Sequence, residues 1–247
     1  MVLRLATYTC LFLLITACKK ENALDCFKTT GAEKTETRYP GEFNSLEAFD
    51  KVDVTVVPGN EYKVTVHAGE HLLKNITTHI KDNKLSIKNN NTCNFVRGYK
   101  RKITVTVTMP VARNIVNSGV GDLRVNGFSQ DSMDVSAESS GDIYVTGNFH
   151  QLSTYSNGNG DIYLNGTCTG LHAYLYGTNF LHAEDLIVTD YVSVETVSVG
   201  DCFLNASSGL TLNIEIWRSG NIYYKGTPAT IISTYQENCK GRLILQN

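Results

Sequence analysis

The chain has 247 residues, of which 42% are hydrophobic, and its formal net charge is −2 at pH 7. This length and composition allow one elongated domain with a substantial core. A nearly neutral chain supplies no broad basic field, so we exclude nucleic acid as a partner.

The N-terminus predicts export and membrane anchoring. An apolar stretch at 11–15 leads into Ile-Thr-Ala-Cys, which ends at Cys18. The stretch is too short to span a bilayer and is typical of a secretory signal peptide, residues 1–17. Its ending resembles a bacterial lipobox, which implies that Cys18 carries the lipid; an ordinary signal peptide cleaved nearby is the alternative. We expect a lipoprotein of the outer membrane, on its periplasmic or surface face, with 18–38 as a flexible tether.

The remaining cysteines are consistent with export but define no disulfide framework. Without Cys10 and Cys18 their number is odd, so at least one is unpaired and the connectivity stays open. They are Cys26, Cys93, Cys168, Cys202 and Cys239. No CxxC pair occurs, so neither a metal site nor a thioredoxin-like site is expected.

Residues 39–110 predict an irregular β region that forms the first coils and a cap. Apolar residues alternate at 52–56 and again at 62–66, with Pro58-Gly59-Asn60 between them, which predicts a hairpin. A second pair of alternating stretches flanks Asp82-Asn83.

Residues 111–247 contain seven related heptads, whose first residues lie 17 to 23 positions apart. Their third and fifth residues are mostly aliphatic, as at Ile143 and Val145, and therefore share a buried face. Such a repeat is typical of a solenoid. We predict an all-β, single-domain, β-helix-like solenoid with rungs of ~20 residues. The heptads are GDLRVNG (121–127), GDIYVTG (141–147), GDIYLNG (160–166), GTNFLHA (177–183), GDCFLNA (200–206), GNIYYKG (220–226) and GRLILQN (241–247).

The second heptad position forms a column of aspartates. Stacked carboxylates repel one another unless they are hydrogen-bonded or bridged by a cation. We favour acceptance of backbone N–H bonds within each Gly-Asp turn, with a bridging Ca²⁺ as the alternative. The column comprises Asp122, Asp142, Asp161 and Asp201.

The fourth heptad position predicts an outward column of aromatic side chains. Sugars stack on exposed rings, and tyrosines anchor protein partners, so this column is the candidate ligand surface. The alternatives are that another segment covers it or that the rings pack along the strands. The column comprises Tyr144, Tyr163, Phe180, Phe203 and Tyr223.

Together, the lipobox, the strands at 49–59 and 105–110 and the Gly-Asp-Ile heptads resemble the GIN-domain family, the putative adhesin head domains. The resemblance covers 39–247 and implies exported lipoproteins of Bacteroidota-type bacteria with a β-helix-like fold. It implies no catalytic, cofactor-binding or metal-binding residues.

We therefore expect a non-enzymatic, lipid-anchored envelope protein that binds a glycan, a matrix component or an envelope protein. One alternative is a structural spacer that forms homo-oligomers through its C-terminal edge. Another is a polysaccharide-active β-helix enzyme, although basic residues near the acidic column are too scattered to support its chemistry.

Overall fold

A computed structural model describes residues 29–92 and 102–246. Nearly all of this part is β, with one short helix, α1, at Glu70–Leu73. The first eight strands are β1 (Glu33–Arg38), β2 (Ser45–Asp50), β3 (Asp53–Pro58), β4 (Lys63–Gly69), β5 (Ile76–Lys81), β6 (Lys84–Asn89), β7 (Thr104–Met109) and β8 (Asn114–Gly119). The others are β9 (Leu123–Ala137), β10 (Ile143–Ser156), β11 (Ile162–Gly177), β12 (Leu181–Ser198), β13 (Cys202–Asn205), β14 (Thr211–Ile216), β15 (Ile222–Lys225), β16 (Thr230–Tyr235) and β17 (Leu243–Leu245).

These strands form a single β-solenoid of about seven turns, which confirms the predicted fold class. Each long strand from β9 to β12 contributes to two faces of its coil, and neighbouring coils pair in parallel. The first face contains β3, the beginnings of β9 to β12, β13, β15 and β17. The second face contains β2, β8, the ends of β9 to β12, β14 and β16.

The core lies between these faces, and alternate residues of each strand point into it. Ile143, Val145 and Leu152 of β10 are all buried, and their equivalents in adjacent coils pack above and below them. Burying one such side chain contributes about 1.5–3 kcal/mol. Cys202 is also buried here, as a small core residue.

Stacking requires a column of very small residues where each coil begins. A Cβ on Gly160 would overlap the carbonyl oxygen of Gly141, and the same overlap recurs down the column. Asn179 takes the glycine position in one coil, where it is buried and donates to the carbonyl oxygens of Gly158 (3.2 Å) and Tyr176 (3.0 Å). The glycines are Gly121, Gly141, Gly160, Gly200, Gly220 and Gly241.

The antiparallel pairs β1–β4, β4–β7 and β5–β6 lie at the N-terminal end, and two expectations fail there. Residues 33–38 belong to β1, which pairs with β4 for its full length, so a flexible tether across 18–38 is wrong for these residues. No hairpin joins β3 to β4, because β7 pairs with both and lies between them. Alternation identified both strands but carries no information on a partner about 40 to 50 residues away.

The hairpin at Asp82-Asn83 is present as β5 and β6. Both turn residues adopt positive φ, 51° and 61°, as a tight hairpin turn requires. The signal peptide at 1–17, Cys18, Cys26 and Cys93 lie outside the described residues. Within 29–92 and 102–246, no helix is long and apolar enough to cross a membrane.

Apolar side chains are exposed at the opposite end of the solenoid. The last coil, β16 and β17, pairs with β14 and β15 on one side only within the described residues. Ile231 and Leu245 occupy inward positions there, yet they are 43% and 53% exposed.

The glycine column generates a stability prediction. Gly160→Ala should lower the free energy of unfolding by about 3 kcal/mol, because backbone atoms of two coils must separate. Gly209→Ala is the matched control, since its Cβ would enter open space and only its positive φ of 94° opposes the change, at a cost of about 1 kcal/mol. Urea denaturation of both variants measures the difference, and equal losses would contradict close backbone stacking.

Candidate functional site

The first face carries a continuous column of aromatic rings, with one change from the predicted set. Strand register aligns Tyr144 with Tyr163, Tyr163 with His182, His182 with Phe203 and Phe203 with Tyr223. His182 therefore occupies the position expected for Phe180. We call this column, together with Arg124 at its end, the aromatic ladder.

Phe180 lies outside the ladder because its coil begins two residues later than the heptad pattern indicated. Leu181, not Asn179, pairs with Ile162, and Phe180 takes the aspartate position, where it is exposed. A shift of two residues leaves inward and outward faces unchanged, so alternation alone could not detect it. The sequence contains one indication of this shift, namely the 23-residue interval from Gly177 to Gly200, which is the longest between heptads.

The rings of the ladder stack on one another. Centroid separations are 4.7 Å for Tyr144 and Tyr163, 4.5 Å for Tyr163 and His182, 5.2 Å for His182 and Phe203 and 5.4 Å for Phe203 and Tyr223, all within 12° of parallel. The Arg124 guanidinium lies 4.5 Å from the Tyr144 centroid. Ring faces inside the ladder are therefore already occupied. A ligand can reach only ring edges and hydroxyl groups there.

The aspartate column holds adjacent coils together. Oδ1 of Asp142 accepts the N–H of Asp161 at 2.9 Å, and Oδ1 of Asp161 accepts the N–H of Phe180 at 2.8 Å. Asp201 accepts the N–H of Asn221 at 2.7 Å. We expected each aspartate to accept a backbone N–H group of its own turn, but these carboxylates accept N–H groups of the next coil. Within the described ranges, no group of three or more His, Cys, Asp or Glu residues is arranged to hold a metal ion.

The tyrosine hydroxyl groups beside these carboxylates have raised pKa values. Burial, followed by the negative charges of Asp142 and Asp122, raises the pKa of Tyr144 to about 12. Its hydroxyl donates to Oδ2 of Asp142 at 3.3 Å. Burial and the charge of Asp161 likewise raise the pKa of Tyr163. Both phenols therefore remain protonated at neutral pH, with O–H groups at the ladder's edge.

A groove of about 220 Å³ lies beside the ladder where two coils lose register. Tyr163 pairs with His182 but Asn165 pairs with Asp185, so β12 carries one extra residue and forms a bulge. Bulges commonly redirect a side chain near a binding site. The lining residues are Tyr144, Val145, Thr146, Tyr163, Leu164, Asn165, His182, Glu184 and Asp185. We call this the bulge groove.

Glu184 is the most unusual side chain of the bulge groove. Its Oε1 lies 3.4 Å from Nδ1 of His182, whereas its Oε2 is buried and has no hydrogen-bond partner among the described residues. A buried acceptor left unsatisfied costs about 1–3 kcal/mol. Because the Glu184 side chain as a whole is 39% exposed, a donor from outside the chain can reach this oxygen. Sequence reasoning missed Glu184 and Asp185, because the heptad alignment fails in this coil. It assigned His182 to the sixth heptad position, beside Asn165, and not to the ring column.

Ring stacking predicts that two similar Tyr→Ala substitutions lower the free energy of unfolding by different amounts. Tyr163 has two ring neighbours and Tyr223 has one. Each aromatic pair contributes about 0.5–1.5 kcal/mol, so Tyr163→Ala should lose about 1–3 kcal/mol of stacking energy and Tyr223→Ala about half as much. Thermal and urea unfolding measure both variants. Equal losses would show that the rings contribute independently of their stacking.

Solved structures with this fold come from several bacteria. A putative adhesin from Bacteroides fragilis is 24% identical, with a TM-score of 0.74, over 87% of this chain and 97% of that chain. A putative adhesin from Parabacteroides merdae is 18% identical, with a TM-score of 0.59, over 89% and 98%. A putative lipid binding protein from Parabacteroides distasonis is 15% identical, with a TM-score of 0.62, over 88% and 98%. At these identities the likeness shows a common fold.

No curated protein matches the chain in sequence. A family model does match, across residues 42–228, which extends from β2 through the coil completed by β15. Its description is "Putative auto-transporter adhesin, head GIN domain". The family and the similar structures named as adhesins are not described as enzymes. The chain belongs to this family of GIN-domain adhesins.

Proposed function

We propose that this protein is a non-enzymatic, lipid-anchored adhesin of the cell envelope that binds a glycan in the bulge groove. The family supports the general role of an adhesin. The ending of the N-terminal apolar stretch at Cys18 supports lipid attachment. A lipid anchor of more than one acyl chain holds a protein stably on a membrane, so the solenoid would project from that surface.

Glu184 carries the proposal for a glycan. Its buried Oε2 has no hydrogen-bond donor among the described residues, and the same groove contains the phenols of Tyr144 and Tyr163 and the amide of Asn165. Sugar hydroxyl groups both donate and accept hydrogen bonds, so they can satisfy the carboxylate and the amide together. The ladder positions this polar edge through stacking, and the sugar need not displace any ring.

The test is a glycan and matrix-protein array with the domain from residue 29 onward, comparing wild type with Glu184→Gln. A hydrogen bond to a charged group contributes about 1.5–3 kcal/mol, so the substitution should weaken glycan binding about 10-fold to 100-fold. Glu42→Gln is the matched control, because Glu42 is exposed and lies outside the bulge groove. Its affinity should equal that of wild type.

Two results would contradict the proposed function. One is the absence of glycan binding by folded wild-type protein, and the other is equal binding by wild type and Glu184→Gln. Unfolding curves of each variant separate a lost contact from a lost fold.

A second candidate function is structural, namely assembly with a second copy through the last coil. The exposed apolar side chains of β16 and β17 support it, together with strand edges that have no partner among the described residues. Parallel strand edges readily pair with another chain. Pairing there would also cover Ile231 and Leu245.

This candidate predicts concentration-dependent association. Sedimentation velocity from low-micromolar to near-millimolar protein should show an oligomer that Ile231→Lys/Leu245→Lys disrupts. Ile187→Lys is the control, because Ile187 is 50% exposed but lies in β12, away from the last coil. A monomer across the whole range, or equal disruption by the control, would reject assembly through this end.

A further inference from the structure

The second face contains another groove, of about 460 Å³, which the proposed glycan site does not use. Strands β8 to β12 line it, so it runs along the solenoid axis across five coils. Its charged and aromatic lining comprises Asp134, Tyr155, His172, Tyr174 and Glu195. We call this the second-face groove.

Two tyrosines lie at its centre and leave one ring face available. Tyr155 and Tyr174 stack at 5.7 Å and 3°. On the other side of Tyr155 the equivalent residue is Ser136, which has no ring, and Tyr155 is 37% exposed. In the aromatic ladder the corresponding end is occupied by Arg124. No cation or second ring contacts Tyr155 in this way among the described residues.

Two carboxylates, those of Asp134 and Glu195, line the groove, and a third lies beyond it. Asp134 lies on the Ser136 side of Tyr155, Glu195 is the equivalent of Tyr174 in the next coil, and Glu215 follows Glu195. None of these three carboxylates makes a hydrogen bond or ion pair with another described side chain, and no Lys or Arg lines the groove.

Two of these carboxylates, those of Glu195 and Glu215, lie in adjacent coils at equivalent positions. Burial and the neighbouring charge of Glu215 raise the pKa of Glu195. The nearest base, His172, contacts the Tyr191 hydroxyl through Nε2 at 2.9 Å. The charges therefore favour a ligand that brings positive charge and hydrogen-bond donors.

We propose that the second-face groove binds an extended basic segment of a protein partner. One Lys or Arg side chain lies over Tyr155 beside Asp134, as a cation–π contact, and a second lies between Glu195 and Glu215. Ammonium and guanidinium groups only donate hydrogen bonds, which suits carboxylates that only accept them.

The spacing of the carboxylates agrees with an extended peptide. Asp134 and Glu195 are three coils apart, about 14 Å along the solenoid axis at ~4.8 Å per coil, and Asp134 aligns with Ser193, which is two residues from Glu195 along β12. In an extended chain, residues i and i+4 are about 13 Å apart and point to the same side. The segment should therefore carry basic residues four positions apart.

The test is a titration of the domain with a labelled Lys-Ser-Gly-Ser-Lys peptide, followed by fluorescence anisotropy. Saturable, salt-sensitive binding is expected, and both Asp134→Asn/Glu195→Gln and Tyr155→Ala should weaken it at least tenfold. Tyr155→Phe should retain binding, because it keeps the ring. Glu42→Gln/Glu237→Gln removes two exposed charges outside the groove and should bind as wild type does.

Specific outcomes would overturn the proposal. They are no peptide binding, equal binding by the acidic double variant, or binding of glucosamine oligomers in the groove without binding of the peptide. Glu184→Gln should leave peptide affinity unchanged, so failure here is distinguishable from failure of the glycan site.

Discussion

The spacing between coils, about 4.8 Å in a parallel sheet, is the constraint on which this structure depends. It brings backbone so close to backbone that only glycine, or the hydrogen-bonded Asn179, fits where each coil begins. It also places identical positions of successive repeats directly above one another. The aspartates can therefore accept N–H bonds from the next coil, and the apolar columns can fuse into one core.

The same constraint determines where a ligand can bind. Rings held one coil apart stack on one another. In a regular aromatic column each ring face therefore contacts the next ring, and only the ring edges are exposed. Both proposed binding sites therefore lie where the repeat is interrupted. One interruption is the extra residue of β12, which buries an unsatisfied oxygen of Glu184. The other is Ser136, whose small side chain ends the stack of Tyr155 and Tyr174 on the second face.

Sequence periodicity predicted the features that repeat and missed those that do not. Alternation at Ile143 and Val145 correctly placed the core, and the Gly-Asp pattern correctly marked the coils. Phe180 was misplaced because a shift of two residues preserves alternation, so its correct register depends on contacts with both neighbouring coils. The pairing of β7 between β3 and β4, and of β1 with β4, is likewise long-range and leaves no local signal. Glu184 was missed because it lies at the bulge of β12, where the residues do not align with a repeated position of the neighbouring coils.

Coil register is the central claim, because both candidate sites depend on which side chains it brings together. A crystal structure of the domain tests it most directly, through the order of rings along the first face. The account predicts His182 between Tyr163 and Phe203, with Phe180 beside the aspartate column. Electron density with Phe180 stacked between Tyr163 and Phe203 would contradict the register, and with it the bulge that forms the proposed glycan site.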